Sequence, residues 1–318
     1  MSGQALSPPR AQSTAERRPP RSDRDRDQDR ASADALARHR RRARLRGAVR
    51  LAVILAILAV VLYPALWMLG TSFKGPTEVF SNRGLLPEDF WPANYPDGWT
   101  GLPSVTFGRF FVNSTVIALG TVVGNAVSCL LAAYAFARLR FPLRGAWFAI
   151  MIGTLLLPSH VLLVPQYVLF NHLGWINTPL PLIVPKALAT EAFFIFLMVQ
   201  FMRGIPRDLD EAAKIDGCSA YGIFWHIMLP LSRPALVTTA IFSFIWAWND
   251  FLSQLVYLSG VENMTVPVGL RMFQDSGGEN QIGPMFAMSV LSLLPVFLFF
   301  LAFQRLLVQG INTAGLKG

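Results

Sequence analysis

Long apolar stretches dominate this sequence and restrict what it can fold into. Segments of 20 or more mostly apolar residues recur at 49–70, 110–137, 145–169, 180–202, 235–258 and 284–308. A helix that crosses a bilayer needs about 20 such residues. The composition, 53% hydrophobic and 15% charged, is also more apolar than that of a typical soluble domain. We therefore predict an all-α membrane protein whose residues 47–318 form six transmembrane helices.

The positive charge of the chain is concentrated before the first span. Of the formal net charge of +9, residues 1–50 carry nearly all, so we expect no folded basic face that would bind nucleic acid. Residues 1–46 contain almost nothing apolar to bury, which predicts a disordered cytoplasmic extension. The arginines between Arg38 and Arg50 directly precede the span. Basic clusters in this position stay on the cytoplasmic side, which places the N-terminus there.

Alternation from a cytoplasmic N-terminus assigns a side to each loop. Residues 71–109 and 259–283 would face outward, whereas 138–144, 203–234 and the tail from 309 would face the cytoplasm. The 138–144 loop has three arginines and no acid, whereas acids outnumber bases in the two outward loops. This bias agrees with the assignment. We predict a multi-pass protein of the inner (plasma) membrane, in contact with lipid, with both termini in the cytoplasm.

Prolines interrupt the third and fourth predicted spans, at Pro158, Pro165, Pro181 and Pro185. Proline removes a backbone donor and clashes with the preceding turn, but neighbouring helices in a membrane bundle can satisfy the freed carbonyls. Two interpretations remain open. The kinks serve a protein with two conformations, or they are ordinary features of spanning helices.

The long cytoplasmic loop 203–234 predicts two short helices joined by an elbow. Acids favoured by the helix dipole follow Pro206 in the first turn of the first helix. Gly217 stands where a left-handed residue would end that helix, and Ser219 can cap the next one. Leu209, Ala212, Ala213 and Asp216 would share one exposed face that admits a partner closely. Tyr221, Phe224, Trp225 and Met228 form a stripe that would anchor the second helix, which Pro230 ends.

The residues of this loop resemble a known signature. Glu211-Ala212-Ala213, then Gly217 after three residues, then Ile227, Leu229 and Pro230 after nine more, resemble the EAA loop of ABC importer permeases. In that family the loop is the coupling helix, seated in a cleft on an ATPase subunit. The resemblance gives the ATPase-coupling role here to Glu211, Ala212, Ala213, Asp216, Gly217, Ile227, Leu229 and Pro230.

Further strings narrow the resemblance to the carbohydrate-uptake branch and its maltose-permease G-type subunits. They include Ala132 to Leu139, Trp248-Asn249-Asp250-Phe251 and the tail from Gln309 to Gly318. The resemblance implies a MetI-like bundle of the type I importers and a sugar or sugar derivative as substrate. It also implies a second, unlike permease, an ATPase dimer and an extracytoplasmic sugar-binding protein. In such subunits the tail reaches between the ATPases, and the loop matching 259–283 enters the binding protein.

The sequence lacks the signatures of an enzyme. It has no G-x-x-x-x-G-K-[ST] phosphate loop and no H-E-x-x-H or G-x-S-x-G string, so we expect a transport subunit without cofactor, with ATP and Mg on a partner chain. Its two cysteines, Cys129 and Cys218, and its four scattered histidines have no metal-ligand spacing. A membrane scaffold without transport is a further alternative, but it would not need the glycine elbow.

Acidic residues inside predicted spans keep a rival interpretation open. Asp250 would lie near the middle of the fifth span, beside Asn249, with Gln254 one turn away on the same face. Charges at that depth are costly and usually functional. Asp250 could pin helices together, line a translocation path with Asn249 and Gln254, or, together with Glu191, bind a coupling ion. The last role would make the protein a secondary transporter that works without an ATPase.

Overall fold

The structure is a computed structural model that describes residues 23–102, 104–275 and 281–314. Over these ranges it is all-helical, with no β-strand. The helices are α1 (Asp23–Thr71), α2 (Glu78–Ser81), α3 (Asn94–Thr100), α4 (Phe107–Arg138), α5 (Arg144–Thr154), α6 (Leu163–His172), α7 (Leu180–Ile183), α8 (Ala192–Arg203), α9 (Asp208–Ile215), α10 (Ala220–Ile223), α11 (Leu229–Leu231), α12 (Arg233–Asn249), α13 (Leu252–Tyr257), α14 (Val266–Asp275) and α15 (Ile282–Ala314). Short 3₁₀ turns at Ser159–Leu162, Pro185–Leu188 and Val261–Asn263 and a π-turn at Phe224–Met228 complete the elements.

Backbone contacts divide the chain into two units, residues 1–64 and 65–318. In the first unit the backbone is helical from Asp23 onward, where the sequence predicted disorder up to residue 46. The stretch 23–46 contains neither glycine nor proline and is rich in alanine and arginine, which are strong helix formers. Because helix propagation is easier than nucleation, the apolar span can extend into it. The part of the predicted extension before residue 23 lies outside the described residues.

Four described helices are long and apolar enough to cross a bilayer: Leu45–Thr71, Phe107–Arg138, Leu180–Arg203 and Ile282–Gln304, the third containing a short 3₁₀ break. A fifth crossing results if Ala220–Leu231 and Arg233–Asn249, bent by 70°, count as one. The all-α prediction is therefore confirmed, whereas the count of six continuous spans is not.

The predicted third span, 145–169, is instead built from short pieces. Residues 155, 156 and 157 each bond to the carbonyl three residues back, at 3.0–3.2 Å, so α5 tightens and ends before Pro158. The residue before a proline is pushed out of the helical region, which explains the break. Pro165 and Pro181 lie in the first turns of α6 and α7, where a missing N–H costs nothing.

Contacts within residues 65–318 sort the loops into two ends. At one end the Asn113 amide donates to the carbonyls of Glu262 and Met264 at 2.8 Å each, and Asn263 donates to the Asn177 carbonyl at 2.9 Å. At the other end Arg138 donates to the carbonyls of Met202 and Ile205 at 2.7 Å each. These are the groupings that alternation predicted from the sequence. Which end faces the cytoplasm remains a prediction.

Candidate functional site

The glycine elbow of the 203–234 loop closes α9 with a complete Schellman motif. Gly217 has φ +84°, the left-handed conformation that the sequence predicted. Its N–H donates to the Lys214 carbonyl at 3.0 Å, and the Cys218 N–H donates to the Ala213 carbonyl at 2.8 Å. These two bonds satisfy carbonyls that the helix end would otherwise leave unpaired. The motif therefore ends α9 at Gly217 and fixes the angle at which the chain continues into the next helix.

The second helix begins at the predicted cap. The Ser219 hydroxyl accepts a hydrogen bond from the Gly222 N–H at 3.2 Å, which satisfies one donor of the first turn of α10. The π-turn Phe224–Met228 then widens the helix, a geometry often found at functional sites. The chain remains helical through Pro230 as far as Leu231, one residue beyond the predicted end.

The exposed face of α9 differs in one position from the predicted face. Glu211, Ala212, Asp216 and Gly217 are exposed, but Ala213 is only 6% exposed and packs in the core cluster that contains Met202 and Phe224. The prediction that Ala213 lies on the exposed face is wrong, because its small side chain packs against the bundle. Its predicted role in ATPase coupling stays a prediction. Ile215, at 87% exposure, lies on the free side in its place.

The predicted aromatic stripe of the second helix also splits in two. Phe224 and Met228 are buried, and Phe224 packs on Tyr134 of α4 with ring centroids 5.1 Å apart. Tyr221 and Trp225 are exposed. Ile227, Leu229 and Pro230 are half-buried, so this part of the motif lies against the bundle and not at the free face. Of the stripe, only Phe224 and Met228 therefore anchor this second helix to the bundle, because its four residues do not all lie on the buried side.

A buried ion pair that sequence reasoning missed holds α9 in place. Arg138 Nη1 lies 3.3 Å from Asp210 Oδ2, and the two side chains are 3% and 11% exposed. Arg138 is the last residue of α4, so this contact joins the α9 helix directly to a spanning helix. The three arginines of the 138–144 loop, which has no acid of its own, were a possible signal of such a pair. Because membrane orientation alone accounted for them, the sequence did not require an acidic partner.

A second hydrogen bond joins the elbow to the same helix. The Tyr134 hydroxyl donates to the Ala220 carbonyl at 2.7 Å, one helical turn from Arg138. Both ends of the elbow, α9 and α10, are therefore fastened to the final turns of α4. Arg138 Nε and Asp210 Oδ1 have no hydrogen-bond partner within the described residues, so two polar atoms of this buried pair are unsatisfied.

Asn249, Asp250 and Gln254 lie at a helix break and not in the middle of a span. α12 ends at Asn249, Asp250 is extended (ψ 107°), and α13 begins at Leu252. Asp250 Oδ1 accepts a hydrogen bond from the Ser253 N–H at 3.1 Å, so this carboxylate caps α13. Asparagine and aspartate compete with helical bonds through their side chains, which accounts for the break.

Gln254 is buried and bridges the same break. Its Nε2 donates to the Ala247 carbonyl at 2.8 Å, and its Oε1 accepts from the Thr265 hydroxyl. Neither of these partners is the Asp250 carboxylate, although the sequence placed Gln254 one turn away from it on the same face. Asn249 is exposed and its Nδ2 donates back to the Ile245 carbonyl at 2.8 Å. The three residues thus stabilise an interrupted helix.

Several long apolar helices, with a capped helix, elbow and helix at one end, define an α-helical, multi-pass membrane protein. Comparison with known families shows which family of membrane proteins the chain belongs to. Residues 105–313 match the family described as "Binding-protein-dependent transport system inner membrane component". The chain belongs to this family and is therefore a permease subunit of an ABC importer.

Curated relatives agree over most of their length. A probable ABC transporter permease of Bacillus subtilis, YurM, is 33% identical over 82% of this chain and 85% of its own. The trehalose/maltose transport system permease MalG of Thermococcus litoralis is 35% identical over 84% of this chain and 95% of its own. A crystal structure of a bacterial ABC transporter that imports alginate has a chain with TM-score 0.71, covering 82% of this chain and 96% of that one. At 22% identity this last likeness shows the fold alone.

Proposed function

We propose that this chain is the maltose-permease G-type subunit of a sugar importer and forms half of its translocation pathway. Relatives named as permeases for trehalose/maltose, diacetylchitobiose and arabinooligosaccharides support a sugar or sugar derivative as the substrate. A second, unlike permease would form the other half of the pathway, and an extracytoplasmic binding protein would deliver the sugar.

The exposed α9 face, held by the Schellman elbow, is the observation that carries the coupling role. We propose that Glu211, Ala212, Asp216 and Gly217 enter a cleft on a separate ATPase dimer, which holds the ATP and Mg. This end of the bundle and both termini then lie in the cytoplasm. Because Asp210 is paired with Arg138 at the end of α4, movement of α9 with the ATPase would be transmitted directly to a spanning helix.

An ABC importer is distinguished from a secondary transporter by transport that depends on ATP and not on an ion gradient. The complex is reconstituted into proteoliposomes with equal ion concentrations on both sides, binding protein on the outward side and ATP on the ATPase side. Radiolabelled maltose, trehalose and diacetylchitobiose serve as probes. We expect ATP to drive uptake of at least one of them. Uptake that fails with ATP but appears with an imposed proton or sodium gradient would show a secondary transporter instead.

A matched pair of variants tests the docking face. Ala212→Arg places a long charged side chain on the exposed side of α9 and should abolish ATPase association. Lys214→Arg changes another exposed residue of the same helix while keeping its charge and should leave association near normal. Co-purification of the ATPase with the tagged permease gives the readout. Equal recovery of the ATPase with both variants would contradict docking at this face.

A further inference from the structure

The chain that leaves α1 folds back on the end of that helix. The segment in question is residues 75–91, here named the return loop. A Cβ on Gly70, in the last turn of α1, would collide with the Leu85 carbonyl oxygen, so the loop backbone lies directly against the helix. The Trp91 N–H donates to the Phe73 carbonyl at 2.8 Å and closes the loop at its other end. The return loop therefore lies level with the end of α1 instead of projecting away from it.

A buried lysine holds the return loop closed. Lys74 is 0% exposed, and its ammonium donates to the carbonyls of Asn82 and Gly84 at 2.7 and 2.6 Å. The Asn94 amide of α3 donates to the Lys74 carbonyl at 2.8 Å, which fixes the backbone that carries the ammonium. A charge removed from water needs such partners, and hydrogen bonds from an ammonium are among the strong ones. Two carbonyls of the loop are thus satisfied from within the chain, as backbone near lipid requires.

The same loop exposes large apolar side chains. Leu86, Phe90 and Trp91 are 74%, 67% and 46% exposed. The Leu86 carbonyl accepts a hydrogen bond from the Asn82 amide at 3.2 Å, and the Phe90 ring stacks on Phe73 with centroids 4.8 Å apart. Contacts within the closed loop therefore hold all three residues beside the end of α1. Exposed apolar surface of this kind marks a site that a protein or a membrane covers.

The helix on which the loop packs indicates what covers these side chains. Leu66 lies one turn before Gly70 on the same face of α1 and is 46% exposed. Leu69, in the last turn, is 42% exposed. A spanning helix presents such leucines to lipid, and the return loop continues this surface where the span ends. Tryptophan and other rings with a polar neighbourhood are enriched at that level, where the bilayer meets water.

We propose that the return loop is an interfacial anchor whose partner is phospholipid. Leu86, Phe90 and Trp91 insert into the boundary between headgroups and acyl chains, and Lys74 keeps the loop closed there. Interfacial segments bury their apolar side about 5–10 Å into this boundary. The anchor holds the end of the first span at a fixed depth, whichever substrate the transporter carries. On the predicted topology it lies in the outer leaflet.

Spin labels on single cysteines measure the depth of the loop. Leu86→Cys, Asp89→Cys and Val61→Cys are made in a Cys218→Ser background; the remaining Cys129 is buried. The purified transporter is placed in vesicles of phosphatidylethanolamine and phosphatidylglycerol. Relaxation of each label by O₂, which concentrates in lipid, is compared with relaxation by a water-soluble nickel chelate. We expect the O₂-to-nickel ratio at position 86 to approach that at position 61, in the span, and to exceed that at position 89, an exposed acid of the same loop.

Two results would overturn the proposal. A ratio at position 86 as low as that at position 89 would place the side chain in water, where a binding protein could dock. Slow relaxation by both reagents would mean that another subunit covers the loop. Phe90→Cys provides a second reading of the same surface.

Lys74→Met, combined with the label at position 86, tests the closure of the loop. It leaves the Asn82 and Gly84 carbonyls unpaired, so we expect the label to become more mobile and its O₂-to-nickel ratio to fall. Arg83→Met removes an exposed cation from the same loop and should change neither property. An unchanged label in Lys74→Met would refute the role of this lysine in the anchor. The reading at position 86 with Lys74 intact decides the lipid contact whether or not this variant assembles.

Discussion

The choice of residue at position 217 is restricted by the left-handed backbone conformation and not by a lack of space for a side chain. A Cβ built at this position would meet nothing within 4 Å, whereas its φ of +84° disfavours any side chain. The cost to an ordinary residue is therefore about 1–2 kcal/mol of backbone strain, or a change in the direction of the elbow. Asparagine tolerates this region better than other residues.

Variants at Gly217 should rank by their tolerance of the left-handed region. We expect Gly217→Val to lose most sugar-stimulated ATP hydrolysis and Gly217→Asn to retain most of it. Gly222→Ala is the control, because its Cβ would make only ordinary contacts at 3.7 Å or more. The ATPase activity of the purified complex with loaded binding protein gives the comparison. Normal activity of Gly217→Val would remove the elbow from the coupling mechanism.

The Arg138–Asp210 pair makes a second prediction for single residues. Removing one partner of a buried pair leaves the other charge unpaired, at a cost of about 3–5 kcal/mol. Asp210→Ala should therefore lower the melting temperature of the complex and reduce recovery of the ATPase. Asp208→Ala, an exposed acid of the same first turn, should change both little. If the two variants behave alike, the pair does not position α9.

At the scale of elements, helix breaks have local side-chain causes. α12 stops at Asn249, the Asp250 carboxylate caps α13, and Gln254 satisfies the Ala247 carbonyl. These bonds compensate for the interruption of a helix in an apolar setting, where an unsatisfied group costs several kcal/mol. A capping role explains the position of Asp250 without a coupling ion.

Capping predicts how substitutions of Asp250 should rank. Asp250→Ser keeps an oxygen able to cap α13 and should keep uptake near normal. Asp250→Leu removes the acceptor, costs about 1 kcal/mol for the cap alone, and should lower assembly of the complex. Size-exclusion chromatography and uptake of the imported sugar measure both properties. Loss of uptake in Asp250→Ser with intact assembly would instead favour a role in the path or in ion binding.

At the scale of the whole molecule, the two ends of the bundle gather different segments of the chain. One end gathers α3, the 3₁₀ turn Val261–Asn263 and α14 around the start of α4, and the other gathers α9 and α10 around its end. Since α4 runs from one end to the other, it connects the predicted binding-protein side with the predicted ATPase side.

Thiol labelling from each side of the membrane tests this orientation. Asp89→Cys and Asp275→Cys are at exposed positions of the predicted outward end, and native Cys218 is exposed at the elbow. An impermeant maleimide should label the first two in intact cells and Cys218 only after the membrane is opened. Cys129, which is buried, is the internal control. Labelling of Cys218 in intact cells would reverse the topology.

The sequence alone determined the features whose causes are local. Hydropathy over about 20 residues located the four helices long enough to cross a bilayer, since the cost of exposing backbone to lipid acts on each segment separately, but it did not show that the predicted third span is broken into short pieces. Gly217 and Ser219 predicted the elbow and the cap, because left-handed φ and side-chain capping depend on a few neighbouring residues. The motif around Glu211 predicted the family that the comparisons confirmed.

Only the tertiary structure decided which face of each element turns inward. Ala213 is buried because α9 lies against the bundle, and Arg138 pairs with Asp210, 72 positions away in the sequence. The approach of Phe193 to Trp246 likewise joins two helices that no local pattern relates. Contacts between segments distant in the sequence decide which side of a helix is buried. Because these helices are apolar around most of their circumference, the periodicity of apolar residues alone does not predict that side.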